Sequence, residues 1–221
     1  GSWAVEALAR SGVGRLTLID LDNIAESNVN RQIHALGDEF GKAKVGAMAE
    51  RVRLIHPACE VVEIEDFVTE ENAQEMLGQG YDFVIDAIDN VRVKAAMVAA
   101  CRDLRVPVVV TGAAGGKLDP TRIRLEDLAR TTQDPLLSKV RGRLRKDYGF
   151  TRDVKKKFGV QAVYSEEPMR YPASAGAACD VPANPAAHGL NCAGFGSSMC
   201  VTASFAMVAV SVVLRGIERR G

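Results

Sequence analysis

The chain has 221 residues, enough for one large α/β domain or a domain with an appended segment. Lysine plus arginine and aspartate plus glutamate both number 28, which excludes a polyanion-binding protein by bulk charge; such a partner must be met by a local cluster. Five cysteines without a CxxC pair exclude a disulfide framework and a cysteine-built zinc site, and point to a reducing, cytoplasmic compartment.

In chain order, Trp3 to Ala9 reads as a helix stopped by Gly12 and Gly14. "RLTLID" is a short strand, and Lys42 to His56 a helix ended by Pro57. "CEVVEIE" alternates as a strand should. Thr69 is expected to cap a helix running to Leu77, with Glu70 and Glu71 in its first turn. "YDFVIDAID" is an apolar strand ending in acids. Val91 to Leu104 is a helix, and "VPVVVTGAAGG" a strand that runs into a glycine-rich loop. This alternation predicts a doubly wound, mainly parallel sheet around strands at Arg15, Glu60, Asp82 and Val108, with ligands beyond the strand carboxyl ends.

After Gly116 the pattern changes. "TRIRLEDLART" reads as strand and turn, Pro135 to Asp147 as a helix, and "QAVYS" as a strand. A loop rich in Ala, Pro and Gly spans Glu166 to Asn191. No charged side chain occurs from Gly189 to Leu214. Serines and threonines interrupt this run, so it is expected to be a buried helix of a soluble core, with membrane association as the alternative.

The strand ends carry the chemistry. Asp20 is placed to accept hydrogen bonds from ribose hydroxyls, as in a dinucleotide enzyme. Arg31, in "NVNRQ", can hold phosphate oxygens bidentately, and Lys44 adds a second cation. Two cations aimed at one ligand suit an enzyme that moves electron density onto phosphates better than a hydride-transfer enzyme. In "DAIDN", a carboxylate can hold a magnesium ion between phosphate oxygens. Asp89 or Asn90 can equally cap the following helix.

"LIDLDNIAESNVNRQ", "GKAKV" and "DAIDN" together resemble the ubiquitin-activating-like adenylating family that includes ThiF and MoeB. The resemblance covers Gly1 to Gly116. It implies a Rossmann-like region at 1–116 that binds ATP and magnesium and forms acyl-adenylates, continued by 117–221. The implied ATP contacts are Gly1, Asp20, Asp22, Asn28, Arg31, Gln32, Lys44, Asp89 and Asn90. Arg31, Lys44 and Asp89 are the implied catalytic residues, and Asp89 the metal ligand. The chain opens at the last glycine of the family's phosphate loop, so the first strand and that loop are expected to be lacking at its start.

"VYSEEPMRYP" and "GFGSSMCVTASF" resemble the branch of that family acting on tRNA that carries threonylcarbamoyladenosine. That likeness implies ATP-dependent cyclisation of the modified base, a homodimer, and a cysteine desulfurase or sulfur-acceptor system as a further partner. Cys179 and Cys192 are candidates for a thiol relay. "KVRGRLRKDYGFTRDVKKKF" holds nine lysines and arginines with Tyr148, Phe150 and Phe158 interleaved. Arg141, Arg143, Arg145, Lys146, Lys155, Lys156 and Lys157 are therefore the candidate tRNA contacts, with Arg122 and Arg124 weaker ones. They are expected to form a rim beside the ATP cleft, where Tyr148 or Phe150 stacks on a base. Competing readings are a sulfur-carrier or ubiquitin-like protein adenylyltransferase, and a non-catalytic nucleotide-binding module.

Overall fold

The computed structural model describes residues 1–169 and 196–219. Its elements are α1 (Ser2–Arg10), β1 (Arg15–Ile19), α2 (Lys44–Ile55), β2 (Glu60–Ile64), α3 (Ala73–Leu77) and β3 (Val84–Asp86). They continue with α4 (Val91–Leu104), β4 (Val108–Thr111), β5 (Ile123–Asp127), α5 (Pro135–Asp147), β6 (Gln161–Ser165) and α6 (Met199–Glu218).

The strands fall into two hydrogen-bonded groups. β1 and β2 run parallel, Arg15 opposite Glu60 and Ile19 opposite Ile64. The second group has the order β3-β4-β6-β5. Its first three strands are parallel, and β5 is antiparallel to β6. The expectation of one sheet around the first four strands is therefore corrected: among the described residues no ladder joins β1 to β3. Side chains span the two groups instead. Phe83 and Ile85 pack into the cluster of Leu16 and Leu18, and Ile19 packs into the cluster under α4 and α5.

Helices cover both faces. α3, α4 and α5 bury Val98, Leu136, Val140 and Leu144 against Val108, Val110 and Ala162. On the other face α1, α2 and α6 meet over Leu16 and Leu18, and α6 lays Val201, Phe205 and Ala209 on Val109 and Val163. Each buried Leu or Val contributes about 1.5–3 kcal/mol over its exposed state. Gly216 gives Phe83 its room: a Cβ there would lie 2.0 Å from the Phe83 ring.

Thr69 caps the following helix as expected: its N–H donates to Asn72 Oδ1 (2.7 Å), Asn72 N–H donates to Thr69 Oγ1 (3.2 Å), and Ala73 N–H donates to Thr69 O (3.2 Å). This reciprocal capping box opens the turn from which the regular helix Ala73–Leu77 continues. Two local expectations change. The "YDFVIDAID" strand shrinks to Val84–Asp86, where Asp86 Oδ1 accepts the N–H of Ile88 and turns the chain outward. α6 is buried along one stripe only; Met199, Met207 and Ile217 are exposed. It is the one described helix long and apolar enough to cross a membrane, although a core helix meets the same test. Its hydroxyls are satisfied internally, Thr202 donating to Ser198 O and Ser204 to Cys200 O.

Candidate functional site

The carboxyl end of β1 delivers Asp20. Its Oδ1 accepts the N–H of Asp22 at 2.9 Å, and the backbone of Lys44 donates to Asp22 O at 3.1 Å. This closure brings the first residue of α2 beside the end of β1. Lys44 Nζ lies 2.7 Å from Asp22 Oδ2 and 3.9 Å from Asp20 Oδ2, with its side chain only 12% exposed. Gly1 precedes α1, and its carbonyl accepts the N–H of Ala4 (2.8 Å).

The segment after Asp22 is pinned to the first turn of α1. Trp3 Nε1 donates to Arg31 O at 3.1 Å, and Ile33 N–H donates to Ser2 Oγ at 3.2 Å. Asn28 is buried and shapes this turn, its Oδ1 accepting the N–H of Ala25. Arg31 is half-buried; its guanidinium donates to Ser27 O (2.7 Å) and Asn30 Oδ1 (3.1 Å). Those are neutral acceptors, which an anion replaces readily. Gln32 Oε1 is buried without a hydrogen bond among the described residues.

His34 was not singled out from the sequence. It is 6% exposed, and both ring nitrogens lack partners among the described residues. Burial, then Lys44 nearby, pushes its pKa down to about 4, so the ring is neutral at physiological pH. The sequence signal was a polar residue inside the "QIHAL" run.

β3 ends in Asp86, a buried carboxylate held by a lysine. Its Oδ1 lies 2.9 Å from Lys94 Nζ, with both side chains 0% exposed, and its backbone carbonyl accepts from Lys94 and Thr111. Lys94 is the second functional-region residue that the sequence reading missed. Asp89 is exposed at the same strand end. Among the described residues no three His, Cys, Asp or Glu side chains converge as a metal cage. Magnesium takes one or two carboxylates together with substrate phosphates, a donor set that Asp89 fits. Asn90 caps α4: its Oδ1 accepts from the N–H of Arg92 (2.9 Å) and Val93 (3.3 Å). That carbonyl is committed to the helix rather than open to a nucleotide.

The later part of the basic segment, from the C-terminus of α5 to Lys157, does not form a rim beside this site. β6 runs parallel to β4, and residues 151–160 precede it, so they lie at the amino ends of the strands. α5 runs the opposite way, with its C-terminus at that same end. There Arg102, near the end of α4, donates to Tyr148 O at 2.8 Å and lies 4.5 Å over the Phe150 ring. Asp20 and Asp89 are at the carboxyl ends. The rim expectation is corrected by this direction of the chain.

Several of its side chains are also engaged inside the fold. Arg143 pairs with Glu70 (2.7 Å), and Arg145 sits over Phe158 and donates to Thr151 O. Arg141 donates to Thr131 Oγ1. Lys146, Lys155, Lys156 and Lys157 are exposed. Phe150 is buried edge-on against Phe158, and the Tyr148 hydroxyl faces Glu70, so neither ring is presented as a base platform.

Burial raises the Cys59 pKa and pushes Cys101 up to about 12, which leaves both thiols inert. Cys179 and Cys192, the relay candidates, lie outside the described residues.

The chain matches the family model described as the ThiF family over residues 1–216. It is 51% identical over 219 residues to the tRNA threonylcarbamoyladenosine dehydratase of Escherichia coli (strain K12), covering 97% of this chain and 81% of that protein. It is 49% identical over 215 residues to the Haemophilus influenzae protein of the same name, covering 97% and 80%. The crystal structure of E. coli tRNA N6-threonylcarbamoyladenosine dehydratase, TcdA, in complex with ATP superposes with a TM-score of 0.87 at 47% identity. That match covers 100% of this chain and 82% of the other.

Proposed function

We propose a function for a chain that belongs to the ThiF family: it is an ATP-dependent tRNA threonylcarbamoyladenosine dehydratase. The sequence identity to the E. coli and H. influenzae dehydratases across nearly the whole chain supports this, as does the ATP held by the E. coli structure. The observation that carries it is Lys44 beside Asp20 at the carboxyl end of β1, together with the Arg31 turn tied to Trp3 at the start of α1.

The roles follow from that geometry. Residues 1–116 form the adenylation region and 117–221 continue it. Asp20 takes the ribose hydroxyls. Lys44 exchanges Asp22 for a phosphate oxygen, and Arg31 turns from Ser27 O to the same triphosphate. Gln32 and Gly1 complete the wall, with Asn28 holding the turn. Asp89 is the residue that would hold magnesium, whose chemistry is to neutralise charge on the phosphates. The threonyl carboxylate oxygen attacks the α-phosphorus of ATP, and pyrophosphate leaves. The neighbouring carbamoyl group then attacks the acyl carbon, its proton is lost and AMP leaves, so the nucleoside loses one water overall. A carboxylate is a poor electrophile; the protein's contribution is positioning and charge stabilisation. An intramolecular nucleophile needs no cysteine relay.

A cytoplasmic location accompanies this reading, supported by the likeness to tRNA-modifying enzymes. A homodimer and a cysteine desulfurase partner accompany the reading through family resemblance. The test is pyrophosphate release from ATP by the full-length protein with tRNA carrying threonylcarbamoyladenosine. Substrate-dependent release that falls about 10²–10³-fold in Lys44→Ala or Arg31→Ala, with the fold intact, is expected. Release that ignores the modified tRNA and responds instead to a protein C-terminus would move the assignment to the sulfur-carrier adenylyltransferases.

A further inference from the structure

A cleft of about 380 Å3 opens beside the first two turns of α5, lined by Gln133, Asp134, Pro135, Ser138, Arg141 and Met169. Its place is fixed by Asp134, whose Oδ2 accepts the N–H of Ala113 (2.9 Å), two residues past β4, and whose Oδ1 caps α5 at Leu137 (2.9 Å). Met169 follows the end of β6. The cleft is thus at the carboxyl rim, the same end as Asp20 and Asp89. α4 and α5 are level at their C-termini through Arg102 and Tyr148, and their lengths of 14 and 13 residues put their N-termini level too. Ser138 and Arg141, at i and i+3, share the edge of α5 away from Arg143 and Glu70.

The charge in the cleft is positive although an aspartate lines it. Asp134 takes two backbone N–H donors and has Lys117 Nζ 3.8 Å away, with both side chains 0% exposed. Arg141 has no carboxylate within ion-pair distance among the described residues, and one neutral partner, the Thr131 hydroxyl. Burial, then Arg145, lowers its pKa, the mark of a cation short of solvent and counterion. Ser138 and Gln133 are exposed at the lip. Gln133 holds a left-handed backbone (φ 53°), a costly conformation for a side-chain-bearing residue that recurs at ligand clamps. Pro135 and Met169 supply apolar wall. Arg122 and Lys139 are exposed nearby on the chain.

We propose that this cleft binds an RNA phosphodiester, with Arg141 on the phosphate oxygens, Ser138 and Gln133 as lateral donors, and Pro135 and Met169 against the adjoining ribose. This rests on the proposed tRNA substrate, and it moves the RNA contact from the amino-end lysines to the rim where the chemistry occurs. A planar guanidinium with open N–H groups matches a phosphodiester bidentately. The open shape and apolar wall suit a nucleotide within a chain rather than a free ion.

The experiment measures tRNA affinity of the full-length protein against salt concentration. The variants are Arg141→Glu, Ser138→Glu and the triple Lys155→Glu/Lys156→Glu/Lys157→Glu. Ser138→Glu guards against misfolding, because it adds charge at an exposed helix position and keeps the Arg141–Thr131 bond. Both cleft variants should weaken tRNA binding at least tenfold and flatten the log–log salt slope by roughly 0.7–0.9. ATP affinity should stay at the wild-type value, and the triple should keep the wild-type slope. The proposal is overturned if both cleft variants bind tRNA like wild type, if the triple reproduces their loss, or if inorganic phosphate at matched ionic strength displaces tRNA. Wild-type turnover with variant-insensitive tRNA affinity sinks the cleft alone. Salt-dependent, cleft-sensitive tRNA binding without dehydration sinks the enzymatic reading and leaves the cleft standing.

Discussion

At the carboxyl ends of the strands Lys94 pairs with Asp86 inside the fold and the largely buried Lys44 side chain reaches Asp22 at the surface, whereas at the amino ends Lys155, Lys156 and Lys157 stand in solvent. By sequence the second set is the denser cluster. By structure the first is the more specific one. A cation that is desolvated and held at a defined place interacts strongly with a ligand charge, because little water screens it. An exposed lysine at physiological salt is screened beyond a Debye length of about 8 Å. Charge density along the chain is therefore a poor guide to where charge does chemistry.

The Asp86–Lys94 pair offers the strongest way to break this comparison. Lys94→Met leaves a carboxylate buried and unpaired, which should cost about 3–5 kcal/mol in denaturant unfolding. Lys94→Met combined with Asp86→Leu should recover most of that loss. If the single variant unfolds like wild type, the pair is not the buried anchor of the site.

A pH series sharpens the same contrast through His34. Its imidazole takes up a proton near pH 6.5 when unfolded, but only near 4 in the fold. Between these values the unfolded state binds more protons, so stability is full above about pH 6.5 and is lost as pH falls toward 4. Thermal unfolding from pH 7.5 to 4 should show this decline. His34→Gln should flatten it, whereas Lys156→Gln at the other end should leave it in place.

A smaller effect is expected at the cap of α4. Asn90→Ala removes the acceptor for two N–H groups and should destabilise by about 1 kcal/mol in the same denaturant assay. Because the Asn90 carbonyl is committed to the cap, ATP affinity should change far less than in Lys44→Ala. The smallest effect belongs to the amino end. Arg143→Ala breaks a half-exposed pair with Glu70 and should cost at most about 1 kcal/mol. A loss of several kcal/mol there would show that the two ends are not so different.

Much of the fold was legible locally. The bounds of α4, α5 and β6 agree with the sequence reading, because Asn90 and Asp134 are capping residues at the helix starts and "QAVYS" is a short apolar strand. Asp20, Arg31 and Lys44 were legible as a set through their motifs. Lys94 was not: in "VRVKAAMVAA" a lysine reads as a solvated helix residue, and only the tight turn from β3 into α4 folds it back on Asp86. The Asp134 link to Ala113 spans 21 residues, and Arg143 to Glu70 spans 73; neither has a local signature.

The sequence by itself determined the order of strands and helices, the residues at the strand ends and the amount of positive charge, because these follow from periodicity, capping and composition. The tertiary structure alone decided that the strands form two ladders, that Lys94 folds back onto the buried Asp86, and which end of the sheet each cation faces. The last point depends on β6 running parallel to β4. Strand direction is set by the crossover that returns the chain, here through α5, and a count of charges carries no information about it.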